Sequence, residues 1–195
     1  MHANAALFVR VGAVDVHYDT AGEGTAALVI CRELAFATVV AEHVATVDGL
    51  PSYEPGVLFK RELPCILAAL AQGGPLELLI VDGYATLAPD GRPGLGAKAA
   101  DALGIPVIGV AKTHFRSATH AAEVVRGAST RPLYVTTAGG LEIDEAARIV
   151  AGMAGPYRMP SALSRVDRLA RGRARPVVID RTDLSATRDG MATRQ

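Results

Sequence analysis

The earliest signal along the chain is a two-residue alternation. Leu7, Val9, Val11, Ala13, Asp15 and His17 would line one face of a strand, with Phe8, Arg10, Gly12, Val14, Val16 and Tyr18 on the other. Turn residues follow at Ala21-Gly22-Glu23-Gly24, and Ala26–Arg32 reads as a second strand folded back on the first. Leu34–Val47 is rich in Val, Ala and Thr, and its short spacing from the second strand favours a third antiparallel strand over a helix. Pro51–Gly56 is a loop, after which Val57–Gln72 carries apolar residues at helical spacing. Pro64 should kink that helix or break it near Lys60.

The pattern then changes. Leu76–Val81 is an apolar run, Glu77 apart, ending in Asp82-Gly83, as expected of a strand buried on both faces. A helix at Leu95–Leu103 capped by Gly104 leads to a second such strand, Pro106–Ala111, which ends at Lys112. A short strand at Leu133–Thr136 and helices at Ile143–Met153 and Leu163–Arg171 complete the pattern. An antiparallel meander followed by alternating helices and parallel strands predicts an α/β fold with one mixed sheet and helices on both faces. Ligands should lie at the carboxyl edge of the parallel strands. Residues 1–172 read as a single domain, and 173–195 as a loosely ordered tail.

Composition narrows the class. With 195 residues, 50% of them hydrophobic, the chain has material for a real core. No apolar run approaches the roughly 18–20 residues of a membrane helix, and Met1–Leu7 lacks the features of a secretory leader. Cys31 and Cys65 fit no zinc spacing and read as reduced core residues, so a cytoplasmic protein with no membrane partner is expected. The formal net charge is zero, which neither demands nor excludes a nucleic-acid partner. From Arg158 to Arg175 there are six arginines (158, 165, 168, 171, 173 and 175) and only the acid Asp167. That stretch reads first as a solvated helix face and second as a phosphate-contacting patch.

Three acids stand where apolar residues would be expected. Asp15 shares a strand face with Val11 and Ala13, Glu62 has Leu58, Phe59, Cys65 and Ile66 three and four positions away, and Asp82 ends a fully apolar strand. A buried carboxylate costs several kcal/mol unless a cation, a donor or water compensates. Convergence of the three on Mg²⁺ or Mn²⁺ would make them tolerable, with Lys112 at the same edge to steady a phosphate oxygen. Individually, each has a structural explanation: a turn opening at Asp82-Gly83, an arginine partner for Asp15, a helix margin for Glu62. Gly94-Leu-Gly96-Ala-Lys-Ala99 has the glycine pattern of a dinucleotide-binding turn but follows a loop of about ten residues, where that motif requires a tight turn.

These residues resemble the endonuclease V family in order and spacing. The blocks that carry the likeness are Val14-Asp15-Val16-His17-Tyr18, Ser52-Tyr53-Glu54-Pro55-Gly56 through Arg61-Glu62-Leu63-Pro64, Val81-Asp82-Gly83, Gly104 through Val110-Ala111-Lys112, Pro132–Val135 and Arg165–Leu169. The resemblance implies a ribonuclease H-like fold and a Mg²⁺-dependent endonuclease, with Mn²⁺ substituting. Such an enzyme recognises hypoxanthine in DNA or inosine in RNA and cuts on the 3′ side. It implies metal and catalytic roles for Asp15, Glu62 and Asp82, a catalytic role for Lys112, and substrate contacts from Tyr53, Pro55, Gly56 and Gly83, Tyr53 belonging to a strand-separating wedge. Departures accompany it: Ser52 and Glu54 alter the wedge, Tyr84-Ala85 and Ala88-Pro89-Asp90 replace the family residues after the fourth strand, and Ala97-Lys98 replace a Ser-His. Ala138-Gly139-Gly140 stands for a Gly-His-Arg expected near the active site, leaving His114 and His120 as neighbouring-loop histidines that read as surface residues. The competing function is a nucleic-acid- or partner-binding protein on the same fold with weak or lost catalysis.

Overall fold

The computed structural model describes residues 9–20, 22–51 and 59–176. They form eleven elements: β1 (Val11–Tyr18), β2 (Gly24–Cys31), β3 (Val39–Val47), α1 (Phe59–Gly73), β4 (Leu78–Asp82), α2 (Leu95–Leu103), β5 (Val107–Ala111), β6 (Ala122–Val124), β7 (Leu133–Ala138), α3 (Ile143–Gly152) and α4 (Ser161–Ala170). The strands make one mixed sheet in the order β3-β2-β1-β4-β5-β7-β6. β1–β2 and β2–β3 pair antiparallel, β1–β4 and β4–β5 parallel, and β7 returns antiparallel to β5. This is the ribonuclease H-like arrangement. Among the described residues no helix is long and apolar enough to cross a membrane.

Alternation sorts each strand between two helical layers. Val11, Ala13, Ala27, Val29, Leu78 and Ile80 pack with Leu163, Val166 and Leu169 of α4 and with Ala146 and Val150 of α3. Val14, Leu28, Ile30, Leu79 and Val81 pack with Ile66 and Ala69 of α1 and Ala99 of α2. β4 and β5 are covered on both faces, as their continuous apolar runs imply. Cys31 and Cys65 are free and buried.

Three local expectations shift. The third strand begins at Val39, because residues 32–38 form a turn in which Glu33 Oε1 accepts the backbone N–H groups of Ala37 (2.8 Å) and Thr38 (2.5 Å). A side-chain acceptor that satisfies backbone donors competes with strand pairing, and it leaves Phe36 at φ 52° with its ring in the α3–α4 layer. α1 runs unbroken past Pro64. β6, only three residues long, has no periodic signal to read.

The glycines of the 94–99 segment serve packing. A Cβ on Gly96 would lie 2.8 Å from Ala85 Cα, and one on Gly94 would lie 2.5 Å from the Tyr84 carbonyl oxygen. They let α2 close onto the chain leaving β4, which is the segment that carries the site.

Candidate active site

β1 and β4 pair in register from Val11↔Leu78 to Val14↔Val81. The next residues on these two neighbouring strands are Asp15 and Asp82, and period-two alternation puts both side chains on the α3–α4 side of the sheet. β4 pairs onward with β5 to Asp82↔Val110, and two residues later Lys112 Nζ lies 2.5 Å from Asp82 Oδ2. Glu62 comes from α1, in the opposite helical layer, and meets the two aspartates at the strand ends. The three acids expected from sequence are therefore brought together, with Lys112 among them.

Their electrostatics follow from that meeting. Burial and the Asp82 charge push the Asp15 carboxyl from 3.8 up to about 6, although the Val16 N–H at 2.9 Å and Lys112 pull the other way. Burial, then Asp15 and Asp82, push Glu62 from 4.5 up to about 7. Among the described residues no group of three or more Asp, Glu, His or Cys side chains is arranged to grip a metal ion as it stands. The acids form a shared negative field, and the Lys112 ammonium provides a direct cation contact within it. Hard oxygen donors that raise one another's proton affinity are chemically suited to a divalent cation.

Sequence reasoning did not single out Asp167 of α4. Its charge also raises Asp15, and it is drawn toward Lys112. Burial pushes its own carboxyl up, but the Arg171 hydrogen bond (Nε to Oδ1, 2.8 Å) and charge bring it below the usual range. The available signal was the lone acid in an arginine-rich helix.

Beside the acids is a cavity of about 230 Å³ lined by Phe59, Glu62, Asp82, Gly83, Tyr84, Leu87, Pro93, Gly94 and Leu95. It is mainly apolar with two carboxylates at one end, and smaller than the roughly 300–1,000 Å³ of a drug-sized pocket. Gly83 is thus at the cavity, whereas Tyr53, Pro55 and Gly56 lie outside the described residues.

Lys112 is held from behind. The Arg158 guanidinium donates to the Lys112 and Pro132 carbonyls, both at 2.6 Å from Nη2. Arg126, only 7% exposed, is itself buried under that loop and donates to the carbonyls of Ala151, Met153, Gly155, Tyr157 and Arg158.

Residues 2–168 match the Endonuclease V family. The chain belongs to the endonuclease V family. Endonuclease V of Streptomyces coelicolor is 34% identical over 186 residues, covering 85% of this chain and 79% of that protein. The crystal structure of endonuclease V from Streptomyces avermitilis matches with a TM-score of 0.72 at 30% identity, covering 84% of this chain and 80% of that one. Endonuclease V of Ciona intestinalis, solved in complex with a 23mer DNA containing an inosine followed by a ribo-adenosine, shares the fold at TM-score 0.72 and 17% identity, over 84% of each chain.

Two expectations, one from the endonuclease V resemblance and one from the charge pattern, are refined by the geometry. Gly139 is not near the acids: β7 runs antiparallel to β5, so the residues after Ala138 lie at the start of β5, at the opposite edge of the sheet. A Cβ there would sit 2.7 Å from the Ile105 carbonyl oxygen, at φ +79°. A histidine is therefore not missing from the acid site at that position. The arginine stretch also divides: Arg158 is committed to backbone carbonyls, Arg165 to Glu42 at 2.7 and 2.8 Å, and Arg171 to Asp167. His120 bonds the Thr86 hydroxyl at 2.8 Å, and His114 is exposed with its ring edge-on to Tyr134.

Proposed function

We propose that this member of the endonuclease V family is a metal-dependent endonuclease that recognises inosine in DNA or RNA and cleaves a phosphodiester bond on its 3′ side. The observation that most directly supports this is the shared charge field of Asp15, Glu62 and Asp82, with Lys112 paired to Asp82. The Ciona relative crystallised with inosine-containing DNA supports the choice of lesion. Asp15, Glu62 and Asp82 would hold Mg²⁺, with Mn²⁺ as a substitute. When bound, the cation supplies positive charge that activates water and offsets charge building on the phosphate.

The chain's own groups do the rest. The adjacent cavity of about 230 Å³, with Phe59, Tyr84 and Leu95 on its wall, would receive the extruded base. Lys112 places a fixed ammonium at the edge where a phosphate oxygen would lie, and the Arg158 contact to its carbonyl limits its backbone movement. Tyr53, with Pro55 and Gly56, is assigned to the strand entering the site.

The test is cleavage of labelled single- and double-stranded DNA and RNA carrying one inosine, with Mg²⁺, Mn²⁺ or chelator. Nicking 3′ of the inosine that requires metal and vanishes in Asp82→Ala supports the reading. No cleavage by folded protein under any of these conditions would replace it with a binding protein on the same fold.

A further inference from the structure

Phe115 lies three residues beyond Lys112, on an exposed loop, with 40% of its surface open to solvent. A large apolar side chain left open next to a charged site calls for an explanation. The loop is not loose: Tyr84 Oη donates to the Thr113 carbonyl at 2.8 Å and accepts the Phe115 N–H at 2.9 Å. Ser117 Oγ donates to the Leu87 carbonyl at 2.8 Å and accepts from Arg92 at 2.9 Å. The segment 113–117 is thereby stapled to Tyr84 and Leu87, which line the 230 Å³ cavity.

The ring is held by the same contacts. Its inner side meets Tyr84 at a centroid separation of 5.8 Å, and the Arg92 guanidinium lies 5.9 Å from its centroid. Lys112 and Arg116 are exposed on the same loop. A stapled, partly exposed aromatic ring with a guanidinium over it, Lys112 and Arg116 exposed on its loop and a mainly apolar cavity alongside has the chemistry of a stacking site for an unpaired nucleobase whose phosphates run past the cations.

We propose that Phe115, supported by Tyr84 and Arg92, is a stacking platform for an unpaired base adjacent in sequence to the one seated in the cavity. It makes the protein favour single-stranded or locally opened nucleic acid. This rests on the inosine-nuclease reading for which base enters the cavity, but its own observations are the ring, the staples and the cations. No covalent step is involved, since the platform acts through binding alone.

The experiment is fluorescence anisotropy with a labelled single strand carrying one inosine, in chelator so that nothing is cut, using wild type, Phe115→Ala and Phe115→Tyr. Phe115→Ala should weaken binding by about 5- to 100-fold, the range for losing one stacked base, while Phe115→Tyr stays near wild type. A second arm uses strands with an abasic position immediately 5′ or 3′ of the inosine. One of these should weaken wild type by the same factor and leave Phe115→Ala unchanged, because ring and base are one interaction. Equal affinity of Phe115→Ala and wild type, or abasic effects that persist undiminished in Phe115→Ala, would overturn the platform. Wild-type cleavage of the same strand with Mg²⁺ is scored separately. Its absence would sink the nuclease reading while the binding comparison still decides the role of Phe115.

Discussion

Bringing Asp15 and Glu62 together has a stability consequence that can be measured without substrate. Both carboxyls have folded-state pKa values above their ordinary ones, about 6 against 3.8 and about 7 against 4.5. The folded state therefore binds protons more tightly than the unfolded state. Their contribution is fully present below about pH 4 and is lost as pH rises through 6 and 7. A shift of roughly two units corresponds to about 3 kcal/mol for either group, and because they repel each other the two figures do not add. For a chain of this size that is about 6–12 °C in melting temperature. Glu62→Gln removes one charge and relieves the other, so in chelator at about pH 8 it should melt higher than wild type by several degrees. Scanning fluorimetry between about pH 5 and pH 8 should show wild type falling with pH and Glu62→Gln falling less steeply, the remaining slope coming from Asp15, which burial and Asp82 still raise. Saturating Mg²⁺ should raise wild type at the alkaline end more than the variant. If Glu62→Gln melts below wild type at about pH 8, or keeps the full pH slope, the carboxylates do not share one buried field.

Further outcomes follow from the same geometry. Asp82→Ala should abolish cleavage while circular dichroism keeps the wild-type fold signature, and surviving turnover would remove Asp82 from the chemistry. Metal-dependent cleavage should climb between about pH 6 and pH 8 as protons leave Asp15 and Glu62, and a flat profile at constant Mg²⁺ counts against them as its holders. Arg165→Ala leaves Glu42, whose side chain is 2% exposed, as a buried charge without its bidentate partner, so chemical denaturation should show a loss of about 3–5 kcal/mol. Arg165→Ala combined with Glu42→Gln should recover part of it. Gly139→His should destabilise the fold through the Ile105 carbonyl and leave cleavage by the remaining folded protein no higher than wild type; a gain in activity would contradict its position at the far sheet edge.

Much of this protein could be read from its residues in order. Apolar residues on both faces of Val11–Val14 and the continuous apolar runs Leu78–Val81 and Val107–Ala111 report strands buried on both sides. That is a local consequence of side-chain direction in an extended chain, so the antiparallel meander and the two parallel strands after it could be read, while β6 and the direction of β7 could not. Asp15, Glu62 and Asp82 stood out because burying a carboxylate is costly, and a cost with no local remedy points to a distant one. What the chain could not announce was anything that depends on which distant segments meet. Asp167 became part of the acid field only when α4 packed across β1, and Arg126 found its five carbonyls only when the last turn of α3 and the residues after it folded over it. The Glu33 turn was hidden because one side-chain acceptor outweighed the strand preference of its neighbours. The position of Gly139 turned on the direction of β7, since an antiparallel return carries its end away from the edge that holds the acids, whereas a parallel strand would have delivered it there. Local periodicity depends on the covalent geometry of neighbouring residues and is legible in one dimension. Pairing direction, long-range charge and the commitment of each arginine depend on three-dimensional packing, and only the folded chain decided them.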